Sequence, residues 1–209
     1  MMRKLAKAEN DMKKNLIFDV GDVLIGYRWK EMLTDDFGLS DERAEQMGRL
    51  IFNDPIWPEF DRGLVDIDEL VEHYCELFPD EAWMFRRFFY GEDLMAVRRD
   101  AVWDRVEELK RKGYGIFILS NYSEFLFRKH TDGLPFRDSL DGGIVSYQVN
   151  MLKPEPEIYA HLLEKYSLDP AECIFFDDKS ENVEAARALG IEAVVITSEE
   201  MLLGELAKF

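Results

Sequence analysis

Four segments of the sequence place a polar, chemically capable side chain just after a run of apolar residues. They supply Asp19 after NLIF, Ser120 after GIFIL, Lys153 after the apolar-rich segment 143–149, and the pair Asp177-Asp178 after CIFF. Taken alone, each is more often a helix cap, a turn or a solvated lysine. Their order, each following a predicted buried strand, favours one shared site.

This set of side chains is suited to a divalent cation and a phosphoryl group. Three carboxylates with one lysine would repel one another in a bare site, and oxygen ligands without clustered histidines favour Mg²⁺ over zinc. The carboxylate of Asp19 can attack phosphorus and form an acyl phosphate. A cation and Lys153 would neutralise the transferring group, while Ser120 and backbone amides would hold its oxygens.

The elements that must position these groups alternate between strands and helices. We predict strands at 15–20, 114–119, 143–149, 173–178 and 193–196, with helices from about 101, 122, 156, 181 and 199. Nearly all-apolar strands that alternate with helices are typical of a parallel sheet covered on both faces. The fold class is therefore α/β, a doubly wound parallel sheet, in which ligands bind beyond the carboxyl ends of the strands.

Residues 29–95 interrupt this alternation. Apolar residues recur there at helical spacing, prolines interrupt the pattern, and no convincing strand is visible. We predict a small helical cap at 29–95, inserted after the first strand into a core formed by 15–28 and 96–209. The aromatic segment 83–90 is interpreted as the core of the cap rather than a ligand box, and residues 1–14 as a mobile or weakly packed leader.

Composition limits the classes of partner. A net charge of −17 argues against nucleic acid and anionic membranes, and nothing implies an obligate protein partner. No run approaches the roughly 20 apolar residues of a membrane span, and the polar N-terminus is unlike a signal peptide. Cys75 and Cys173 are predicted to be reduced core residues, which favours a cytoplasmic location.

The four segments also resemble the motifs of a known family. They read FDVGDVL at 18–24, ILSN at 118–121, KPEPEIY at 153–159 and FFDDKSENVEAARALG at 175–190. Over nearly its whole length from Asn15, the chain resembles haloacid dehalogenase-like (HAD) hydrolases, which have a Rossmann-like core and often a helical cap. The segments around 18–25 and 57–70 are most similar to bacterial sugar-phosphate phosphatases of the glucose-1-phosphatase type.

The resemblance implies a role for each residue of the predicted site. Asp19 is the nucleophile and a magnesium ligand, and Lys153 ties the phosphate to it. Ser120 binds the phosphoryl oxygens together with the backbone amide of Asn121. Magnesium is also expected to bind Asp178 directly, Asp177 as a secondary ligand, and the backbone carbonyl of Gly21.

Position 21 departs from the family pattern. Phosphatases of the family usually carry there a second aspartate that acts as general acid and base, and this chain has Gly21 followed by Asp22. Metal binding through a glycine carbonyl should survive, but loss of the proton shuttle typically costs about 10²–10⁴-fold in rate. Asp22 would point away from the site if the backbone were extended, and could replace the acid only if the chain turns there.

The cap is expected to select the substrate and exclude water. Its segment 57–63 supplies Trp57 and Arg62 as predicted substrate-binding residues, and further candidates for the lining are Tyr27, Trp29 and Phe60. Arg62 has the alternative of being a surface ion-pair partner.

The function predicted from these observations is Mg²⁺-dependent hydrolysis of a small phosphorylated metabolite, with a sugar phosphate expected. One alternative is a metal-free 2-haloacid dehalogenase, against which the pair Asp177-Asp178 argues, because such a site has no use for extra carboxylates. A second is a non-catalytic binding or regulatory protein, suggested by Gly21. A phosphomutase ranks lower, since it too would need the missing acid.

Overall fold

The computed structural model describes residues 13–91 and 95–209. Its strands there are β1 Asn15–Phe18, β2 Gly26–Tyr27, β3 Ala96–Val97, β4 Gly115–Ser120, β5 Gly142–Val145, β6 Cys173–Asp177 and β7 Glu192–Val195. Five of them form a parallel sheet in the order β5-β4-β1-β6-β7, and β2 pairs with β3 in an antiparallel ribbon. Phe18 is paired with Ile118 on one side and Phe176 on the other, so the residues that follow β1, β4 and β6 meet at one edge.

The central strands are apolar on both faces because both faces are covered by helices. Leu16 and Phe18 belong to one buried cluster, while Ile17 between them belongs to another. The helices of the described chain are α1 Trp29–Glu31, α2 Asp41–Phe52, α3 Ile56–Asp61, α4 Ile67–Leu77, α5 Ala82–Tyr90, α6 Asp100–Arg111, α7 Glu124–Thr131, α8 Pro156–Tyr166, α9 Ser180–Ala188 and α10 Glu199–Leu206. The first cluster contains residues of α6, α7 and α10, and the second contains residues of α8 and α9.

Local signals in the sequence set the ends of several helices. Gly113 lies just after α6 with φ +97°, a left-handed conformation that glycine adopts without steric cost. Ser123 and Ser198 cap α7 and α10, because each hydroxyl accepts a hydrogen bond from the backbone N–H three residues later. These endings place the strand-to-helix turns where the sequence predicts them.

Residues 29–91, called the helical segment below, contain α1 to α5 and a π-helical turn, Met32–Asp36. The aromatic helix α5 buries Met84, Phe85, Phe88 and Phe89, which confirms the interpretation of this stretch as core. The ribbon of β2 and β3 lies at the two ends of the segment, where the chain leaves and rejoins the sheet.

The predicted fold class is confirmed, with the third sheet strand shorter than expected. That strand ends at Val145 and is followed by a 3₁₀ turn, Ser146–Gln148. Cys75 and Cys173 are buried free thiols. The predicted leader falls almost wholly on residues 1–12, outside the described residues, and the division into core and cap domains stays a prediction. Among the described residues, no helix combines the length and apolarity needed to cross a bilayer.

Candidate active site

Asp19 lies immediately beyond β1, where the sheet register brings it beside the ends of β4 and β6. Its Oδ1 accepts a hydrogen bond from the Ser120 hydroxyl at 2.6 Å and lies 3.0 Å from the Lys153 Nζ. The backbone N–H of Val20 donates to the same oxygen at 2.7 Å. Within the described chain Oδ2 accepts no hydrogen bond, so one oxygen of this carboxylate is fixed and the other is available.

Lys153 links the carboxylates at the ends of two neighbouring strands. Its Nζ lies 2.6 Å from Asp177 Oδ2 as well as close to Asp19, and its side chain is only 1% exposed. Asp177 also accepts hydrogen bonds from the Asn182 amide at 3.0 and 3.2 Å and from the backbone N–H of Lys179 at 2.8 Å. Asp177 is therefore a heavily used, fully buried anchor for the lysine.

The side chain of Asn121 fixes the backbone of Lys153. Its Oδ1 accepts from the Lys153 N–H at 2.8 Å and its Nδ2 donates to the Lys153 carbonyl at 2.9 Å. This pair of hydrogen bonds joins the turn after β4 to the loop before α8. The lysine is thus positioned at both its backbone and its ammonium group.

The electrostatics of these groups show an excess of negative charge. Burial raises the pKa of Asp19, with Lys153 opposing and Asp177 adding to the rise. Burial alone would lower the pKa of Lys153, but the two carboxylates outweigh it and hold that pKa above its usual value. Burial, together with the charges of Asp19 and Asp177, raises the pKa of Asp178 to about 7.

The carboxylates fit a divalent cation. One oxygen from each of Asp19, Asp177 and Asp178 can be chosen so that all lie within 4.8 Å of one another. An oxygen-only donor set of this kind is the one that Mg²⁺ prefers. Because Asp177 is already committed to Lys153 and Asn182, Asp19 and Asp178 are the better placed to bind a metal directly.

A cavity of about 430 Å³ opens from this site toward the helical segment. Its strand-edge side includes the predicted residues Asp19, Gly21, Ser120, Asn121, Lys153 and Asp178, and the helical segment contributes Trp29, Phe52, Trp57, Pro58 and Asp61. Burial raises the pKa of Asp61 to about 7 against the opposing charge of Lys179, which also lines the cavity. The opposite wall is thus largely aromatic, with one carboxyl group.

The expectation that Arg62 contacts the substrate stays a prediction, and the structure gives this side chain other partners. Arg62 lies outside the residues that line the cavity, and its guanidinium pairs with Glu155 and donates to the Asn150 carbonyl at 3.2 Å. It ties the end of α3 to the loop before α8. Phe60 does not line the cavity either, because its side chain is buried in the apolar core. The other predicted lining residues, Trp57, Tyr27 and Trp29, do line it.

The backbone after Asp19 turns instead of continuing in an extended conformation. Asp22 has φ +53°, and the N–H groups of Leu24 and Ile25 both bond to the Val20 carbonyl. Asp22 consequently lines the cavity, so the geometric objection that an extended backbone raised against it does not apply.

Sequence reasoning missed several residues of the site. Asn182, which donates to Asp177, lies in the first turn of the helix that follows the FFDD segment. That position close to the predicted site could have identified it from the sequence. Asp61 lies one helical turn after Trp57 on α3, so the two share a face. Tyr122 and His130 gave no comparable signal, because only the fold brings them to the cavity.

Comparisons with known proteins agree with the fold class. A profile of the haloacid dehalogenase-like hydrolases matches residues 13–190, and the chain therefore belongs to that family. The sesquiterpene phosphatase astK of Aspergillus oryzae is 30% identical over 189 residues, which cover 88% of this chain and 90% of that protein. The D-ribitol-5-phosphate phosphatase of Bacteroides thetaiotaomicron is 27% identical over 195 residues, covering 87% and 90% respectively.

A solved structure shows the same fold. It is the wild-type HAD family enzyme of Bacteroides thetaiotaomicron in complex with magnesium and inorganic phosphate, which matches with a TM-score of 0.70 at 24% identity. The match covers 89% of this chain and 95% of that one. The family resemblance carried by the four sequence motifs is confirmed by the profile match over residues 13–190.

Proposed function

We propose that this protein is a Mg²⁺-dependent phosphatase that hydrolyses a small phosphate ester through an aspartyl phosphate on Asp19. The observation that carries the proposal is the fixed carboxylate of Asp19, held through Oδ1 by Ser120 and Lys153 while Oδ2 accepts no hydrogen bond from the described residues. A carboxylate oriented in this way can attack phosphorus without first rotating. The phosphatases among its relatives and the magnesium–phosphate complex of its structural neighbour support the same reaction.

Each residue has a role in this proposal. Asp19 attacks the phosphorus, and Lys153 and the Ser120 hydroxyl bind the phosphoryl oxygens, whose charge they offset. Asp19, Asp178 and the Gly21 carbonyl would hold Mg²⁺, with Asp177 in a secondary role. When bound, the ion supplies positive charge that neutralises the phosphoryl oxygens. Water then attacks the phosphorus of the aspartyl phosphate and regenerates Asp19.

The wall that the helical segment contributes favours a leaving group without a second negative charge, since Lys153 and Lys179, which also line the cavity, lie on the strand-edge side. The described residues of the helical segment that line the cavity are three aromatic residues, a proline and Asp61, with no lysine or arginine among them. A sugar or sugar-alcohol phosphate fits such a wall, because its C–H face packs on aromatic rings while its hydroxyls reach a carboxylate. The volume of about 430 Å³ is suited to a small ester.

Release of phosphate from a panel of esters tests the proposal. The panel contains phosphates of uncharged sugars, phosphorylated carboxylic acids, nucleotides and p-nitrophenyl phosphate. Each is assayed with Mg²⁺ and with EDTA. We expect activity only with Mg²⁺ and a preference for neutral leaving groups. Halide release from 2-haloacids in EDTA would instead identify a dehalogenase, and the absence of both products would indicate a binding protein.

A further inference from the structure

The position two residues after Asp19 has no side chain, and a tyrosine hydroxyl occupies the space that one would fill. A Cβ atom added to Gly21 would lie 2.7 Å from Tyr27 Oη and 2.9 Å from its Cε2, closer than real Cβ contacts. The backbone of Gly21 is outside the left-handed region, so the tyrosine ring, and not the backbone conformation, requires glycine there. A carboxyl oxygen of an aspartate would lie at a comparable separation from that Cβ.

Tyr27 is the first member of a hydrogen-bonded chain of three side chains. Its hydroxyl is bonded to the hydroxyl of Tyr122, which lies 2.7 Å from His130 Nδ1. All three side chains line the cavity, and Tyr122 and His130 are 5% exposed. The chain joins β2, the turn after β4 and helix α7, so its geometry is set by three separate elements.

The protonation states of these groups suit a chain of donors. A tyrosine hydroxyl has an ordinary pKa of about 10, so that of Tyr27 carries its proton near pH 7. Burial and the charge of Lys129 lower the pKa of His130 to about 4, and the imidazole is neutral near pH 7. The Tyr27 hydroxyl donates to that of Tyr122, and a neutral imidazole with its proton on Nδ1 would donate to the same Tyr122 oxygen. Because His130 then does not need the Tyr122 proton, Tyr122 can rotate that proton toward Tyr27 when the Tyr27 proton turns to a substrate.

We propose that the Tyr27 hydroxyl protonates the leaving-group oxygen, with Tyr122 and His130 as positioning residues; this inference rests on the proposed function. As the P–O bond to the leaving group breaks, its electron pair stays on the leaving oxygen, which takes the proton from Tyr27 Oη. The resulting phenolate accepts a hydrogen bond from Tyr122. It regains a proton from the water whose oxygen attacks the phosphorus of the aspartyl phosphate, so the cycle is balanced without another reactant.

The chemistry of a phenol suits both halves of the cycle. An alkoxide is a far stronger base than a phenolate, so proton transfer to an alkyl leaving group is favourable. A phenolate is in turn a base that can take a proton from water as the water oxygen attacks phosphorus. Mg²⁺ and Lys153 would offset the negative charge that the site carries at that moment.

Asp22 is the competing acid, since it also lines the cavity. Its carboxylate faces the cations Arg99 and Lys179, and Arg99 also donates to the Asp22 carbonyl at 2.7 Å. These contacts hold Asp22 at the turn. The Tyr27 hydroxyl, in contrast, occupies the place where the side chain of a larger residue at position 21 would begin. The geometry therefore favours the tyrosine.

The test compares leaving groups in conservative variants. With Mg²⁺ present, Tyr27→Phe should lower kcat/KM for alkyl phosphates by about 10²-fold and for p-nitrophenyl phosphate by under about 5-fold, because an aryl leaving group needs little protonation. Tyr122→Phe should show the same alkyl-selective pattern with a smaller loss, and it keeps the test decisive if Tyr27→Phe folds poorly. The matched control is Tyr166→Phe, whose hydroxyl bonds to Gly143 away from the cavity.

Two results would overturn the assignment of Tyr27. One is an equal loss on alkyl and aryl esters in both tyrosine variants, which would mean that the rings act only in packing. The other is an alkyl-selective loss in Asp22→Asn that Tyr27→Phe lacks, which would identify Asp22 as the acid. Failure of the proposed function looks different: the unaltered protein would then release phosphate from no ester, and the inference would fall with it.

Discussion

The two sides of the cavity are built in different ways. On the strand-edge side, Asp19, Ser120, Lys153 and Asp177 are nearly inaccessible, and their hydrogen bonds are made to one another. On the side of the helical segment, the lining residues are the partly buried aromatic residues Trp29, Phe52 and Trp57, together with Pro58 and the acidic Asp61. The first side is fixed for one reaction. On the second side, a few substitutions would be enough to adapt the shape of the wall to another leaving group.

The contrast predicts the largest effect at the strand edge. Asp19→Asn should reduce phosphate release by about 10⁴-fold or more, since an amide cannot form the covalent intermediate. The variant should keep its melting temperature or gain slightly, because a buried negative charge beside Asp177 is removed. Steady-state kinetics and thermal unfolding are the two measurements. Activity near that of the unaltered protein would show that another group is the nucleophile.

On the opposite wall the effect should be on selectivity. Trp57→Ala removes an aromatic ring that packs against Phe52 and Phe60 and lines the cavity one helical turn before Asp61. We expect kcat/KM ratios among alkyl phosphates to change by about 10-fold, with a smaller change on p-nitrophenyl phosphate. Trp83→Ala is the matched control, because Trp83 lies on α5, is 54% exposed and is not among the lining residues. Uniform losses on all esters in Trp57→Ala would mean that this wall does not contact the leaving group.

A smaller effect is expected in the pH dependence of stability. Burial raises the pKa of Asp61 from 3.8 to about 7, so the folded state binds its proton more tightly than the unfolded state. Stability from this group is therefore lost as pH rises from about 4 to 7. The melting temperature of Asp61→Asn, measured relative to the unaltered protein, should increase by a few degrees between pH 4 and pH 8. Parallel curves would show that the carboxyl group is not buried as described.

The smallest effect should be at Arg62. Its ion pair with Glu155 is partly exposed, and such pairs contribute about 0–1 kcal/mol. Arg62→Ala should lower the free energy of unfolding in urea by no more than that and leave the kcat/KM ratios unchanged. A selective loss of activity on one class of ester would show that Arg62 contacts the substrate.

The strand-edge side could be predicted because its residues are tied to the strands in sequence. Asp19, Ser120 and Asp177 lie at or just beyond the ends of apolar runs, and the register of a parallel sheet then brings them together without further information. Lys153 follows β5 by a short loop and is brought in by the same topology.

The other side depends on contacts that sequence spacing does not contain. Arg62 pairs with a residue 93 positions away, and Tyr27 bonds to one 95 positions away. The turn at Asp22 depends on a left-handed conformation that aspartate adopts only occasionally. For that reason the sequence identifies the missing side chain at Gly21 but not the tyrosine that fills its place.

Locating a phosphoryl group on the protein tests directly whether Asp19 is the nucleophile. The unaltered enzyme would be mixed with p-nitrophenyl phosphate and Mg²⁺, quenched in acid during turnover and analysed by peptide mass spectrometry. We expect one phosphoryl group on Asp19, which is absent in EDTA and in Asp19→Asn. A phosphoryl group on another residue, or full turnover by Asp19→Asn, would contradict this expectation.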